Sequence, residues 1–226
     1  MKIKITPERY VAVDEYFTEL LLADDTIPAK VLAHCEAHAM PAIHVAPNQG
    51  KLLNLLVRIK GARRVLEVGT LGGYSTVWMA LGMGPAGRLL TLDFDENYVK
   101  VAQESLRIAG VEDQVEIRVG RAMDSMQALI DEGAAPFDFI FLDADKENNP
   151  RYLELALQLS APGTVIVGDN VVRQGQILDA HSDGSNIKGL RRFFDDTAAN
   201  KNLSATAFQT VGSKGWDGMS IAIVNG

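Results

Sequence analysis

The order of apolar segments in this chain predicts an α/β fold built on an open, mostly parallel sheet. From residue 64 onward, short apolar runs alternate with amphipathic helical stretches, which is the rhythm of repeated β-α-β units. Two of these runs, 139–142 and 165–167, are apolar without interruption, as parallel strands covered by helices on both faces should be. The chain has 226 residues and 47% hydrophobic content, enough for one substantial core. We therefore expect a single domain over residues 1–226.

The individual elements follow from local signals. Helices are expected first at 7–23, 28–40 and 47–60, where prolines occupy first-turn positions and Gly61 can cap the third helix. Residues 1–60 thus form an N-terminal helical region ahead of an α/β core at 61–226. In that core, strands are predicted at 64–68, 88–93, 115–119, 137–142, 164–167, 203–211 and 219–224, the last two joined by a turn at 212–218. Helices are predicted between them at 74–83, 96–109, 123–131, 151–159 and 187–198.

Composition excludes several classes of partner. The 29 acidic and 22 basic residues give a net charge of −7, which repels nucleic acids and anionic membrane surfaces. No segment approaches the roughly 20 apolar residues of a membrane span. Cys35 is the single cysteine, so an intrachain disulfide is impossible, and we expect this thiol to be buried as a small apolar group. The reducing cytoplasm is the expected compartment.

A glycine-rich turn follows the first predicted strand and indicates a nucleotide-like ligand. Gly69, Gly72 and Gly73 let the backbone approach such a ligand closely, but their spacing differs from the Gly-x-Gly-x-x-Gly of diphosphate binding. Glu67 places a carboxylate where a pyrophosphate would be repelled and an ammonium group tolerated. The pattern favours a zwitterionic ligand over a dinucleotide, with a tight turn that binds nothing as the alternative.

Two aspartates near the end of the second strand have different expected roles. Asp93 lies 24 positions beyond Gly69, close to the offset of about 20 at which an acidic residue binds ribose hydroxyls. Asp95 precedes a helix and is expected to be its N-cap.

A cluster of hard oxygen ligands is predicted where the fourth and fifth strands end. Asp143 follows one strand, while Asp169 and Asn170 follow the other, and in an open α/β sheet both ends face the same crevice. Such a set suits Mg²⁺ or another divalent cation such as Mn²⁺ or Ca²⁺. Lys146 can reach this crevice, whereas Asp145 is expected to cap a helix. No metal-binding spacing relates the four histidines, and none of them is assigned to catalysis: His34, His38, His44 and His181.

These motifs occur together in the class I S-adenosylmethionine (SAM)-dependent O-methyltransferases. The chain closely resembles the family that joins catechol O-methyltransferase to the plant and bacterial caffeoyl-CoA O-methyltransferases. The resemblance covers most of the chain and lies in the order and spacing of the motifs. The segments that carry it are 43–45 with the helix that follows, 67–75, 91–93, 119–124, 141–146, 168–171 and 214–218.

The resemblance implies a Rossmann-like, three-layer methyltransferase fold with a mostly parallel seven-stranded sheet, an antiparallel last strand and extra N-terminal helices. It implies SAM as cofactor, a divalent metal bound by Asp143, Asp169 and Asn170, and catalysis by Lys146 and Asp143. The cofactor residues that it implies are Val45, Glu67, Gly69, Ser75, Asp93, Ala122 and Asp143, with Met123 and Asp124 also on the adenine side. Where catechol O-methyltransferase has a Ser-Gln pair, this chain has Ala122-Met123, so adenine binding should depend on backbone and apolar contacts.

The expected substrate is a small catechol-type molecule or a caffeoyl-type thioester. Chelation of two adjacent oxygens by a divalent cation stabilises a phenolate, and Lys146 would accept the phenol proton. The acceptor stays open among free catechols, thioesters, flavonoids and catechol-bearing natural products. Two other functions stay open as well: an NAD-dependent oxidoreductase, and a SAM-binding module without turnover. Related bacterial and plant enzymes are homodimers that use the N-terminal region, and the apolar surface of residues 7–40 likewise predicts a homodimer.

Overall fold

A computed structural model describes residues 6–226 of the chain. Its α-helices are α1 (Pro7–Leu21), α2 (Thr26–Ala37), α3 (Pro47–Lys60), α4 (Tyr74–Met83), α5 (Glu96–Ala109), α6 (Ala122–Asp131), α7 (Asn149–Gln158) and α8 (Ser185–Ala199). Short 3₁₀ helices lie at Glu112–Gln114, Lys146–Asn148 and Gln176–Leu178. None of the helices in the described part of the chain has the length and apolarity needed to cross a bilayer.

The strands form one seven-stranded sheet in the order β3-β2-β1-β4-β5-β7-β6. They are β1 (Arg64–Val68), β2 (Arg88–Asp93), β3 (Val115–Val119), β4 (Phe137–Leu142), β5 (Ser160–Asp169), β6 (Leu203–Gly212) and β7 (Gly215–Val224). The first five strands pair in parallel, and β7 is antiparallel to both β5 and β6. The predicted α/β fold with its antiparallel last strand is confirmed.

Helices α1, α6, α7 and α8 differ from their predicted bounds by one or two residues at one or both ends, and three other elements differ for identifiable reasons. Helix α2 begins at Thr26 and ends at Ala37, because Ala39 takes a left-handed conformation with φ 52° that ends the helix before residue 40. Strand β5 begins at Ser160 rather than at residue 164, because the Pro-Gly sequence at 162–163 interrupts the apolar run from which the strand was predicted. The turn between β6 and β7 is Ser213-Lys214 rather than 212–218, since Gly212 pairs with Gly215.

The core has two apolar clusters, one on each face of the sheet. Successive strand residues point to opposite faces, so Val65 and Phe139 join the cluster beneath α2–α5, while Leu66 and Ile140 join the cluster beneath α6–α8. All four side chains are fully buried. Because helices cover both faces, the carboxyl ends of the parallel strands are where a ligand can reach the sheet.

Candidate active site

A cavity of about 720 Å³ opens at the carboxyl ends of the parallel strands. This is the volume of a typical small-molecule site. Eight of the predicted site residues line it: Val45, Gly69, Ser75, Asp93, Ala122, Asp143, Lys146 and Asn170. Glu67 and Asp169 are buried behind its wall, and Asp124 is exposed outside it, although Met123 lines it. The topology therefore brings most of the predicted residues to one place.

The glycine turn after β1 is held against the end of β4. Gly69 has φ 104°, and a Cβ atom there would lie 2.6 Å from the backbone oxygen of Asp143, so a side chain has no room. Asp93 accepts hydrogen bonds from the backbone N–H groups of Thr70 and Leu71 through Oδ2, at 3.1 and 2.8 Å. Its Oδ1 accepts from the N–H of Asp95 at 3.0 Å. Asp93 thus anchors the turn while it also lines the cavity, and ribose binding stays a prediction.

Glu67 lies beneath the turn and holds it from below. Its carboxylate accepts hydrogen bonds from Ser75 Oγ at 2.6 Å, from Thr91 Oγ1 at 2.7 Å and from the Thr76 hydroxyl. Burial raises the pKa of Glu67 to about 7, and the three hydroxyl donors oppose that rise. Since the carboxylate is fully buried, it acts on the cavity through Ser75, which lines it. Its predicted place beside the cofactor stays a prediction.

The buried Glu67 carboxyl should make stability depend on pH. Because its folded-state pKa is raised from 4.5 to about 7, the folded chain binds the proton more tightly than the unfolded chain does. The contribution of Glu67 to the free energy of unfolding is therefore fully present below pH 4.5 and is lost as pH rises to about 7, a change on the order of 3 kcal/mol. Glu67→Gln, in which Ser75 Oγ can reverse to accept from the amide, should lack that change.

Urea unfolding of both proteins at pH 5 and pH 8 measures this effect. Between pH 5 and pH 8, the free energy of unfolding of the wild type should fall by roughly 3 kcal/mol relative to that of Glu67→Gln. Every other titrating group is common to the two proteins and cancels. An unchanged difference would mean that Glu67 is ionised throughout.

Asp143 and Asp169 lie side by side at the end of neighbouring strands. Leu142 pairs with Gly168, so Asp143, the residue just after β4, lies beside Asp169, the last residue of β5. Burial, and then the Asp143 charge, raise the pKa of Asp169 to about 7, whereas Lys146 acts in the opposite direction. Asn170 has φ 52°, a left-handed conformation that asparagine adopts more readily than most residues. Two carboxylates and an amide thus converge at the cavity.

This donor set fits a hard divalent cation. Residues 6–226 contain no cluster of three or more His, Cys, Asp or Glu side chains that could hold a metal. An ion at the two carboxylates would therefore need further ligands, for which the Asn170 amide oxygen and water or substrate oxygens are the candidates. Mg²⁺ commonly binds through one or two carboxylates with several water or substrate oxygens. A positive ion would also relieve the repulsion between the two aspartates.

Lys146 begins the 3₁₀ helix after β4 and points into the same cluster. Its Nζ donates to Asp143 Oδ1 at 2.9 Å, and the residue is only 5% exposed. Its backbone is fixed by α8, where Gly189 packs so closely that an added Cβ would lie 2.3 Å from the Lys146 oxygen. The lysine is therefore held rigidly beside the carboxylate pair.

Two of the predicted caps have different outcomes. Asp95 Oδ1 accepts from the N–H groups of Asn97 at 2.8 Å and Tyr98 at 3.4 Å, which confirms it as the N-cap of α5. Asp145 takes the N-cap position of the 3₁₀ helix that follows, but its side chain makes no cap bond there. Its carboxylate accepts instead from the Tyr152 hydroxyl at 2.5 Å and from the Asn148 amide.

The cavity wall also contains residues that the sequence did not indicate. His44 lines the cavity and donates from Nδ1 to the Val45 oxygen at 2.9 Å, which leaves Nε2 to accept from Lys214 Nζ at 3.3 Å. Burial lowers the pKa of His44, which favours the neutral ring. Arg173 and Tyr152 line the cavity as well. These contacts join segments distant in sequence, and no local spacing could have indicated them.

The sheet order, the glycine turn and the cavity at the strand ends together define a class I SAM-dependent methyltransferase. The chain belongs to the O-methyltransferase family, whose family model matches residues 23–221. It is 48% identical to a catechol O-methyltransferase of Niastella koreensis over 216 residues, or 95% of this chain and 97% of that protein. A catechol O-methyltransferase of Mycobacterium tuberculosis is 47% identical over 212 residues, with 94% of each chain covered.

A solved structure agrees with this assignment. The O-methyltransferase of Bacillus cereus in complex with SAH has 50% sequence identity and a TM-score of 0.95, covering 97% of this chain and 100% of that one. The chain is therefore a SAM-dependent O-methyltransferase. This decides against both alternatives, the NAD-dependent oxidoreductase and the binding module without turnover.

Proposed function

We propose that this enzyme methylates one hydroxyl of a catechol-type small molecule with the help of a divalent cation held by Asp143, Asp169 and Asn170. The observation that carries the proposal is the pair of neighbouring carboxylates beside Lys146 at the wall of the cavity, with Asp169 buried and Asp143 half-buried. The names of the relatives from Niastella koreensis and Mycobacterium tuberculosis support a catechol as the acceptor. A caffeoyl-type thioester is the second acceptor class that the sequence motifs favour.

The metal and the lysine have complementary roles in this proposal. When bound, the cation supplies Lewis-acid stabilisation of the negative charge that develops on an acceptor oxygen. Lys146 lies 2.9 Å from Asp143, close enough to exchange a proton with a hydroxyl bound at the same carboxylates. Lys146 accepts the phenol proton, and its contact with Asp143 keeps the side chain in position. The phenol group, with a pKa of about 10, therefore need not ionise in bulk water.

Methyl transfer is a direct displacement. The acceptor oxygen forms a bond to the methyl carbon of SAM as the carbon–sulfur bond breaks, and sulfur keeps that electron pair to give SAH. No residue becomes covalently modified. Holding the two reactants in attack geometry can lower the barrier by about 7–11 kcal/mol. The rigid contacts of Gly69 and Gly189 serve that positioning, because each joins backbone segments without a side chain between them.

The cofactor is proposed to occupy the half of the cavity beside the glycine turn. Ser75 and the Val45 backbone would bind the methionine part, Gly69 the region beside it, and Asp93 the ribose. Ala122 would approach the adenine, whose other contacts are apolar because Met123 has no hydrogen-bonding group. The turn contacts the Asp143 backbone, so the sulfonium would lie next to the carboxylate cluster.

A pair of isomeric acceptors tests the proposal. Catechol carries its two hydroxyls on adjacent ring carbons and can chelate a metal. In resorcinol a further ring carbon separates the two hydroxyl-bearing carbons, so both oxygens cannot bind one metal ion. With labelled SAM and Mg²⁺, we expect methylation of catechol and little or none of resorcinol. Equal rates with the two isomers would contradict chelation, and transfer to neither would contradict the acceptor class.

We also propose that the enzyme is a homodimer that uses α1. No residue of α1 is buried, and its apolar side chains are exposed by 44–64% at Val13, Tyr16, Phe17, Leu20 and Leu21. Such a continuous apolar patch is typical of an interface. Light scattering at micromolar concentration should give twice the chain mass, and Leu20→Glu should give the monomer mass. A monomeric wild-type protein would contradict this proposal.

A further inference from the structure

The cavity contains an arginine that the methyl-transfer chemistry does not use. Arg173 lies three residues beyond Asn170 and lines the cavity, half-buried. No Asp or Glu carboxylate in residues 6–226 lies within 4 Å of its guanidinium. Of the other Arg and Lys residues at the wall, Lys146 is paired with Asp143. Arg121 also has no carboxylate of the described residues within 4 Å, but it is exposed and lies next to Ala122, on the predicted adenine side. The guanidinium of Arg173 is therefore available to a ligand.

The backbone that carries Arg173 is held in an unusual conformation. Arg173 and its neighbour Gln174 have φ 52° and 54°, left-handed values at two consecutive non-glycine residues. Such conformations persist only where the surrounding structure enforces them, and they concentrate at functional sites. Here Asp217 Oδ1 accepts from the N–H groups of Val172 at 2.9 Å and of Arg173 at 3.0 Å, while the Gln174 N–H donates to the Trp216 oxygen at 3.2 Å.

The placement of Arg173 assigns it to the acceptor rather than to the cofactor. It belongs to the same short segment as Asn170, at the carboxylate cluster. The acidic Glu36 lies on another part of the cavity wall, near the glycine turn. It is on α2 next to Cys35, whose thiol donates to the Gly72 oxygen of that turn at 3.4 Å. An acceptor bound at Asp143 and Asn170 would thus have a positive side chain beside it.

We infer that Arg173 binds an anionic group of the acceptor, so that the preferred substrates are catechols with a carboxylate on the ring or on a short side chain. A guanidinium binds a carboxylate through two parallel, charge-assisted hydrogen bonds, which fix the orientation of the ring as well as its affinity. The arginine would then select acidic catechols and set which hydroxyl approaches the methyl donor. This inference rests on the proposed methylation of catechols.

Two acceptors that differ only in charge test the inference. 3,4-Dihydroxybenzoate carries a carboxylate where 4-methylcatechol carries a methyl group. For the Mg²⁺-loaded enzyme, Arg173→Asn should lower kcat/KM for the acid by roughly 10- to 100-fold, mainly through KM, and that for the neutral catechol by less than about 3-fold. Asparagine is chosen because it tolerates the left-handed backbone at this position.

Two further variants separate charge from structure. Arg173→Lys keeps the positive charge and should recover part of the activity with the acid. Gln174→Asn changes the next residue of the same turn, which does not line the cavity, and should leave both acceptors unaffected. Equal losses with both acceptors in Arg173→Asn, or no loss with the acid, would overturn the inference while catechol methylation stood. If wild type methylated neither acceptor, the proposed function would fail together with it.

Discussion

Lys146→Met is expected to lower kcat with a vicinal diol by roughly 10²- to 10⁴-fold, the usual loss when a general base is removed. The side chain is 2.9 Å from Asp143 and almost fully buried, so no other lysine can replace it in the cluster. Methionine has a similar length but cannot accept a proton. The loss should be smaller at higher pH, because a larger fraction of the phenol is then ionised without assistance.

Steady-state kinetics with catechol at pH 7 and pH 9 measure this prediction. The matched control is Lys188→Met, which removes an exposed lysine of α8 whose partner is Asp183 on the surface. The control should retain wild-type turnover, and both variants should still bind SAH. Wild-type turnover by Lys146→Met at neutral pH would show that this residue is not the base.

Asp169→Asn should reduce turnover by roughly 10²- to 10³-fold or more. Loss of several kcal/mol of transition-state stabilisation by a metal corresponds to such a factor at 1.36 kcal/mol per tenfold change. Asp169 lies behind the cavity wall, so asparagine removes a charge proposed to hold the cation while leaving the lining of the cavity unchanged. We therefore expect nearly unchanged SAH affinity and a higher requirement for Mg²⁺.

Isothermal titration with SAH, together with turnover at increasing Mg²⁺, separates these effects. Asp145→Asn is the matched control, since that carboxylate binds Tyr152 and Asn148. It should cause a much smaller loss and no change in the Mg²⁺ requirement. Equal turnover by Asp169→Asn and wild type at low Mg²⁺ would contradict the proposed metal site.

Most of the fold could be predicted because its signals are local. Strands β1 to β4 have their predicted bounds. For β1, β2 and β4 the signal is an apolar run, which parallel strands buried on both faces need. Boundaries were wrong where backbone conformation decides them. Ala39 ends α2 in a left-handed conformation that its sequence does not indicate, and the Ser213-Lys214 turn is shorter than its glycine-rich surroundings suggest.

The candidate site shows the same division. Residues at strand ends, such as Asp93, Asp143 and Asn170, were placed correctly because parallel topology brings those ends together. The hydrogen bonds of three hydroxyls to the Glu67 carboxylate could not be predicted, because the alternation of strand faces does not reveal them, and the cofactor role of Glu67 stays a prediction. Arg173 could not be found because its approach to the cavity depends on long-range bonds to residues 216–217.

The most direct measurement is the metal dependence of methyl transfer from SAM to catechol by the wild-type enzyme. Protein stripped of metal by a chelator and then dialysed should form almost no methylated product, and added Mg²⁺ should restore turnover in a saturable manner. The proposal that a cation held by Asp143, Asp169 and Asn170 activates the acceptor predicts both observations. Product formation at the full rate in the presence of excess chelator would contradict it.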